Sequence, residues 1–188
     1  MPRKKTTEEL VGERVAFAKA TAHQDRTPIN IIADNIRSLD NVGLLFRLCE
    51  LIRAEHLYLT GYTGYPGQSE RHTQRIGKTS VYAIPHQPWS HIEDPIPLVH
   101  KLKQAGNKII ALEQTDKSVP YNKLLLTDYY LPLTLILGHE REGVRQELLD
   151  LADAIIEIPI LGLGNSHNVT ISAGIVLYHI LAKTGKLG

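Results

Sequence analysis

Polar side chains that could bind a ligand or stabilise a transferred charge are concentrated in three blocks, at residues 34–50, 135–144 and 157–180. Each block opens with an apolar, strand-like run and passes into a polar loop, and the first and third blocks then enter helices. In α/β folds such strand-to-helix loops lie at the carboxyl ends of strands, where ligands bind. Three loops of this kind in 188 residues indicate one composite site.

Two motifs for metal or nucleotide binding are incomplete. His139 and Glu140 begin like a zinc-protease motif, but Gly143 stands where the second histidine would be. No histidine pair at ligand spacing is joined to cysteines, so we expect no metal. Residues 162–167 (GLGNSH) begin like a dinucleotide-binding loop, but the sixth residue is histidine and only about one helix follows. A nicotinamide-dependent oxidoreductase is therefore a poor alternative.

Four further residues each allow two interpretations. Gly138 closes an apolar strand, where a missing side chain lets a ligand approach the backbone, although a routine turn would also use glycine there. Ser166 and Asn168 precede the last helix and could simply cap it. Arg47 is the one charge inside an apolar helix, which predicts a partner for it; the alternative is an ordinary surface arginine.

The elements that must position these residues alternate along the chain. Apolar runs predict strands at residues 29–33, 56–60, 81–84, 108–112, 133–137 and 155–159. Helical patterns follow from residue 41 or 42 with Asp40 as the cap, and at 92–105, 144–152 and 168–183. Residues 61–79, which are polar and rich in glycine, predict a long loop with a short helical turn. The alternation predicts an α/β fold with a mostly parallel sheet flanked by helices on both faces.

Length and composition are those of one ordinary globular domain, with 43% hydrophobic and 22% charged residues. A weak helical stripe in residues 1–27 predicts an amino-terminal arm with one helix, ahead of a main domain at 28–188. Cys49 is the only cysteine, which excludes an internal disulfide and favours a cytoplasmic protein. No run of 18 apolar residues exists, so we expect no membrane span.

The net charge of +1 does not mark a nucleic-acid-binding domain, although a local basic patch can suffice. The densest basic stretch contains Arg71, His72, Arg75 and Lys78. Its alternative interpretation is a solvated loop surface, which is the usual role of such charge runs.

Taken together, the three blocks resemble the signature motifs of the SpoU/TrmH family of RNA ribose 2′-O-methyltransferases, within the knotted SPOUT superfamily. The first motif is matched by Asn41 and Arg47. The second, Leu-Gly-x-Glu-x-x-Gly, is matched by Leu137, Gly138, Glu140 and Gly143. The third, Ile-Pro followed by Ser-Leu-Asn-Val, is matched by Ile158, Pro159, Ser166, His167, Asn168 and Val169, with histidine where the family usually has leucine or methionine. The resemblance extends from about residue 28 to 182.

The resemblance implies a carboxyl-terminal trefoil knot, a homodimer and bound S-adenosylmethionine. By the same analogy, five residues should form the cofactor pocket: Leu112, Gly138, Ile158, Ser166 and His167. The apolar side chains among them suit a small-ligand site, which combines apolar walls with a few polar atoms.

The chemistry that the family implies is methyl transfer to a ribose 2′-hydroxyl of tRNA or rRNA. The predicted catalytic residues are Arg47, Asn41, Glu140, Ser166 and Asn168. Arginine keeps its proton in proteins, so we assign Arg47 to the target phosphate and the developing oxyanion rather than to proton removal. The predicted RNA contacts are Arg71, Arg75, Lys78, Arg141 and Arg145. The alternative is a non-catalytic RNA-binding module that retains the knotted fold.

Overall fold

The structure, a computed structural model, describes residues 3–10, 12–13, 26–124 and 131–187. The strands of this described part are β1 Thr27–Asp34, β2 Ala54–Thr60, β3 Trp89–Ile92, β4 Lys108–Leu112, β5 Val119–Pro120, β6 Leu133–Leu137 and β7 Ala154–Glu157. The main helices are α1 Leu39–Leu51, α2 Glu70–Ser80, α3 Pro95–Gln104, α4 Gln146–Leu151 and α5 Val169–Lys183, with a 3₁₀ turn at Tyr121–Lys123.

One seven-stranded sheet, in the order β3-β2-β1-β6-β4-β7-β5, carries these helices on its two faces. All of its strand pairs are parallel. Residues of α1, α2 and α5 pack with Ile29 and Ile31 of β1 on one face, whereas α3 and α4 pack with Ile32 on the other. Strands buried on both faces are continuously apolar, which is why these runs were readable in the sequence. The prediction of a mostly parallel α/β sheet with helices on both faces is confirmed.

The first helix begins earlier than predicted. Ser38, not Asp40, caps α1, since its extended backbone lets the hydroxyl accept from the Asn41 amide at 3.4 Å. Asp40 lies in the first turn instead, and its carboxylate pairs with Arg75 at 2.7 Å. The Arg75 guanidinium holds the pKa of Asp40 below its usual value. The prediction of Asp40 as the cap is therefore wrong.

The prediction of a long loop with only a short helical turn at 61–79 is wrong in its second half, where the eleven-residue helix α2 forms. Ser69 caps this helix by accepting from the His72 amide at 3.2 Å, and only Ile76 and Ser80 within it are buried. Such a polar helix depends on tertiary packing. Gly43 of α1 permits that packing, because a Cβ atom there would overlap the hydroxyl of Thr79 and the carbonyl of Ile76.

The strand predicted at 81–84 does not form. Val81 and Tyr82 are exposed and lie in a turn, and the next strand is β3 at Trp89–Ile92. The helix predicted from residue 92 begins at Pro95, with Asp94 as its cap. The strands predicted at 108–112 and 133–137 are confirmed. The last helix is capped by Asn168, as one interpretation held. The short strand β5 was not predicted.

The residues that carry the predicted arm helix, at positions 11, 15, 18 and 22, lie outside the described residues. Positions 7–10 and 12–13 are helical. Within the described ranges, no helix is both long and apolar enough to cross a membrane.

Candidate active site

A cavity of about 400 Å³ opens at the carboxyl ends of β4, β6 and β7. Its size is that of small-ligand pockets. The structure brings together around it all five residues predicted to bind the cofactor: Leu112, Gly138, Ile158, Ser166 and His167. The strand order explains this convergence, because β6 lies beside β4 and β4 beside β7, so their carboxyl ends share one edge of the sheet. Their role in cofactor binding stays a prediction.

One wall of the cavity is the tight loop that follows β6. His139 and Gly143 exchange backbone hydrogen bonds of 3.0 and 2.9 Å across it. A Cβ atom at Gly138 would overlap the backbone of Gly143. Gly143 itself has a φ of +74°, which favours glycine. Both glycines are thus required for the turn to close, whether or not a ligand also approaches the backbone there.

Glu113, which the sequence interpretation missed, holds this loop in place. Its Oε2 accepts from the Val144 amide at 2.7 Å, and its Oε1 accepts from the Gln114 amide at 2.8 Å. The side chain also lines the cavity, together with Glu157. The sequence feature that marks Glu113 as a site residue is its position directly after the apolar run of β4, at the carboxyl end of a parallel strand.

Glu140 joins the same loop to the start of α1. One carboxylate oxygen accepts from the Arg37 amide, and the other accepts from the Ser38 amide and from Nδ2 of Asn41, each at 2.9 Å. Partial burial raises the pKa of this carboxyl, but the hydrogen bonds together outweigh it, so the pKa lies below its ordinary value. Glu140 is therefore ionised at neutral pH and accepts from the groups around it.

Asn41 also bonds to the start of α5. Nδ2 of Asn168 donates to Oδ1 of Asn41 at 3.0 Å. Oδ1 of Asn168 accepts from the amides of Thr170 and Ile171 at 2.9 and 3.3 Å, which caps α5. A continuous chain of hydrogen bonds thus runs from Glu140 through Asn41 to Asn168. Three of the five predicted catalytic residues, one from each motif, belong to it.

Arg47 does not belong to this chain. It lies six residues after Asn41 in α1, about 9 Å further along the helix axis. The side chain is exposed and makes no hydrogen bond or ion pair with any described residue of its own chain. The interpretation of Arg47 as an interior charge is therefore wrong, because α1 buries its opposite side, while the catalytic role of Arg47 stays a prediction. Arg47 also does not line the cavity.

The predicted RNA contacts divide into free and paired cations. Arg71, Lys78 and Arg141 are exposed and make no ion pair in the described part of the chain. Arg75 pairs with Asp40. Arg145 donates from Nε and Nη2 to the two carboxylate oxygens of Asp34, at 2.8 and 3.1 Å.

Asp34, at the end of β1, is almost completely buried, with 1% of its side chain exposed. Besides the Arg145 pair, its Oδ1 accepts from the Thr60 hydroxyl at 2.7 Å. Arg145 thus holds the start of α4 against the carboxyl end of β1, so it has a structural role that does not depend on RNA binding. Among the described residues, no cluster of three or more metal-ligating side chains occurs.

The protein is an α/β protein with a small-ligand site of the kind that binds cofactors. The cavity lies at the carboxyl ends of the strands of a parallel sheet. A glycine turn forms one of its walls, and linked asparagine and glutamate side chains border it. The chain belongs to the SpoU rRNA Methylase family, whose sequence profile matches residues 28–178. The family that the three motifs predicted is therefore confirmed.

Individual relatives agree with this assignment. The tRNA (guanosine(18)-2′-O)-methyltransferase of Escherichia coli strain K12 is 36% identical over 150 residues, which are 80% of this chain and 61% of that enzyme. The crystal structure of the TrmH/SpoU tRNA modifying enzyme of A. aeolicus superposes with a TM-score of 0.74 at 24% identity, over 95% of this chain and 86% of the other. The AdoMet-bound rRNA methyltransferase of Sinorhizobium meliloti superposes with a TM-score of 0.71 at 21% identity, over 84% and 57%. These structures share the fold.

Proposed function

We propose that this protein transfers a methyl group from S-adenosylmethionine to a ribose 2′-hydroxyl of tRNA or rRNA. The observation that carries the proposal is the convergence of the three family motifs: Glu140, Asn41 and Asn168 form one hydrogen-bonded chain beside a cavity of about 400 Å³. Residues 28–188 would form the methyltransferase domain, with 1–27 as an arm. An RNA substrate and the buried, unpaired thiol of Cys49 both favour the cytoplasm.

The lining of the cavity fits S-adenosylmethionine. Leu112 and Ile158 supply apolar surface, while Glu113 and Glu157 add carboxylates that suit a ligand with cationic groups. Ser166 and His167 add a hydroxyl and a ring nitrogen from the segment before α5. The bound cofactor would supply an electrophilic methyl group on a sulfonium. In the reaction, the ribose oxygen forms a bond to this methyl carbon and the sulfur–carbon bond breaks.

Arg47 would act on the ribose and its phosphate. The guanidinium carries a fixed positive charge, which stabilises the alkoxide character that develops on the attacking oxygen and clamps the adjacent phosphate. The hydroxyl proton would pass to a phosphate oxygen of the substrate or to solvent. Asn41, Glu140, Ser166 and Asn168 would orient the nucleotide at the mouth of the cavity.

A homodimer would cover the apolar surface that α1 and α5 expose. Exposed apolar residues recur at helical spacing on both helices: Leu44 and Leu51 on α1, and Ile171, Ile175 and Tyr178 on α5. The two helices are neighbours, since a Cβ atom on Gly174 would lie 3.9 Å from the side chain of Leu48. Arg47 falls on the same side of α1 as Leu44 and Leu51, so a partner on this surface would also contact the segment that carries Arg47.

The oligomeric state tests this surface. Ile175→Asp would place a charge in the interface and should convert the dimer to a monomer in sedimentation velocity. Val119→Asp, at an exposed apolar residue on the edge strand β5, should stay dimeric. Circular dichroism of both variants checks that they are folded. A monomeric wild-type protein would contradict the dimer.

The finer fold proposal is that the segment after β6 is threaded as a trefoil knot. It is supported by family membership and by the sheet order, in which β6 separates β1 from β4 and β7 lies on the far side of β4. A crystal structure in which the trace around 138–183 is unthreaded would contradict it.

The activity test uses purified protein, S-adenosylmethionine with a labelled methyl group, and total RNA from cells that lack the protein. Label should enter RNA and should be recovered as 2′-O-methylated nucleoside after digestion. Binding of RNA should weaken steeply with salt, because Arg71, Lys78 and Arg141 would neutralise phosphates. Calorimetry with S-adenosylmethionine completes the test. RNA binding without cofactor binding or label would support the non-catalytic alternative.

A further inference from the structure

An aromatic side chain that the motifs do not include stands beside the proposed active site. Tyr62 follows β2 and is 59% exposed. Its ring centroid lies 6.2 Å from that of His139, at an interplanar angle of 71°. His139 in turn lines the cavity, next to Glu140. The ring of Tyr62 thus lies one side chain away from the cavity wall, with much of its surface open to solvent.

The backbone beneath Tyr62 is held in place by two residues with left-handed conformations. Asn35 has a φ of +56° and Gly61 a φ of +62°, at the carboxyl ends of the neighbouring strands β1 and β2. Oδ1 of Asn35 accepts from the Tyr62 amide at 3.1 Å. A Cβ atom at Gly61 would overlap this Asn35 oxygen. Conformations of this kind are retained where the surrounding structure over-determines them, frequently at ligand sites.

The neighbouring ring is fixed as well. Nδ1 of His139 accepts from the amides of Arg141 and Glu142, at 3.2 and 3.0 Å. Because Nδ1 accepts, the ring proton is carried by Nε2, and the imidazole cannot turn over without losing both bonds. Tyr62 and His139 therefore form an aromatic corner, in which the His139 ring is fixed by two hydrogen bonds and the two rings meet at 71°.

The surroundings of this corner suit a nucleotide. The guanidinium-bearing residues Arg37 and Arg141 are exposed on the loops beside it. An ordinary tyrosine hydroxyl is protonated at neutral pH, and partial burial, then the carboxylates of Glu142 and Glu140, raise the pKa of Tyr62 further. A neutral aromatic face with cations nearby is the combination that stacks an RNA base while its phosphates are neutralised.

We propose that Tyr62 is the base-stacking residue of this protein: its exposed face receives an unstacked nucleobase of the RNA, beside the ribose that is presented to the cavity. This inference rests on the proposed function, because it assumes that the nucleic acid enters at this edge of the sheet. It assigns Tyr62 to substrate positioning, with no part in the chemical step.

The test compares a short single-stranded RNA oligonucleotide with the same oligonucleotide lacking its bases. Stacking on one aromatic side chain is worth roughly tenfold or more in affinity. The affinity of wild-type protein for the base-bearing oligonucleotide should be at least roughly tenfold higher than for the form without bases. In Tyr62→Ala this ratio of affinities should be roughly tenfold smaller. Tyr62→Phe should keep it, as should Tyr82→Ala, the matched change at a tyrosine that is 82% exposed elsewhere.

Two results would overturn the assignment. The first is an unchanged preference for bases in Tyr62→Ala. The second is a lower affinity of Tyr62→Ala for both oligonucleotides that accompanies dissociation of a dimer in sedimentation, because Tyr62 would then contact a partner subunit.

Failure of the proposed function is distinguishable from failure of this inference. If wild-type protein labels no RNA, methyl transfer is refuted, yet the loss of base preference in Tyr62→Ala would still establish stacking. If wild-type protein labels RNA and Tyr62→Ala has the same KM for RNA and the same base preference, stacking is refuted and the function stands. With stacking, Tyr62→Ala should raise the KM for RNA roughly tenfold at unchanged affinity for S-adenosylmethionine.

Discussion

Asn168 donates a hydrogen bond of 3.0 Å from its Nδ2 atom to Oδ1 of Asn41, which lies 127 positions earlier in the chain. The bond joins the amino-terminal ends of α1 and α5, and Asn41 then donates to Glu140 in the loop after β6. Three segments that are distant in sequence are thereby joined beside one cavity, which Glu140 lines. Disturbing this connection should change stability and activity together.

Asn168→Ala should lower the free energy of unfolding by about 1–2 kcal/mol, because it removes the cap of α5 as well as the bond to Asn41. Urea unfolding followed by circular dichroism measures the loss. Asn168→Ser can keep the cap but cannot reach Asn41 in the same way, so its loss should be smaller. Ser166→Ala, at an exposed residue nearby, serves as the stability control, and an equal loss there would contradict the prediction.

Glu140→Gln should destabilise the protein at neutral pH by about 1–3 kcal/mol, since one oxygen becomes an NH₂ group that faces a backbone donor. The carboxylate contributes stability because its pKa is lowered in the folded protein. That contribution is complete above the unfolded pKa of about 4.3 and disappears as the pH falls through the folded value. The difference between variant and wild type in urea unfolding should therefore shrink in acid. A difference that is the same at pH 7 and in strong acid would exclude this explanation.

Arg145→Ala and Arg141→Ala should separate structural from RNA-binding arginines. Loss of Arg145 leaves the buried Asp34 carboxylate without its cation, which should cost roughly 2–4 kcal/mol; we place it below the range of a fully buried pair because 38% of the Arg145 side chain is exposed. Arg141→Ala should change the free energy of unfolding by less than about 0.5 kcal/mol. It should, however, lower the affinity for RNA and make that affinity less dependent on salt. Thermal unfolding and filter binding measure the two effects. Similar stability for both variants would refute the distinction.

Arg47→Ala should remain folded and bind S-adenosylmethionine as the wild type does, yet lose methyl transfer by about 100-fold or more. Arg47 makes no ion pair or hydrogen bond with the described residues of its own chain, so its removal leaves no buried group unsatisfied. Lys101→Ala, which removes an exposed cation from α3 on the other face of the sheet, is the control. Normal methylation by Arg47→Ala would remove Arg47 from the mechanism.

Gly143→Ala should destabilise the cavity wall by about 1–2 kcal/mol, because alanine disfavours the left-handed conformation and its Cβ atom would overlap the Glu113 carboxylate. The affinity for S-adenosylmethionine in calorimetry should fall as well. Gly162→Ala is the matched control, since no atom lies within 4 Å of its added Cβ and its φ is not positive. Equal effects of the two substitutions would contradict the role of Gly143.

The local pattern of apolar and polar residues predicts much of the fold. The strands at 108–112 and 133–137 are buried on both faces, so they appear as continuous apolar runs. The helix α2 was not readable, because only Ile76 and Ser80 of its eleven residues are buried and its stability comes from packing against α1. The sequence alone does not identify the cap of α1, because Ser38 and Asp40 are both capping residue types and only the backbone conformation distinguishes them.

The amino-acid sequence by itself determined the family, the parallel α/β class and the identity of the motif residues, since these depend on residue types at fixed spacing. Only the tertiary structure decided which of those residues touch. It linked Glu140, Asn41 and Asn168, paired Arg145 with Asp34, and left Arg47 exposed. The physical reason is that hydrogen bonds and ion pairs act over about 3 Å, whereas their partners here are separated by about a hundred residues whose meeting depends on the order of strands in the sheet.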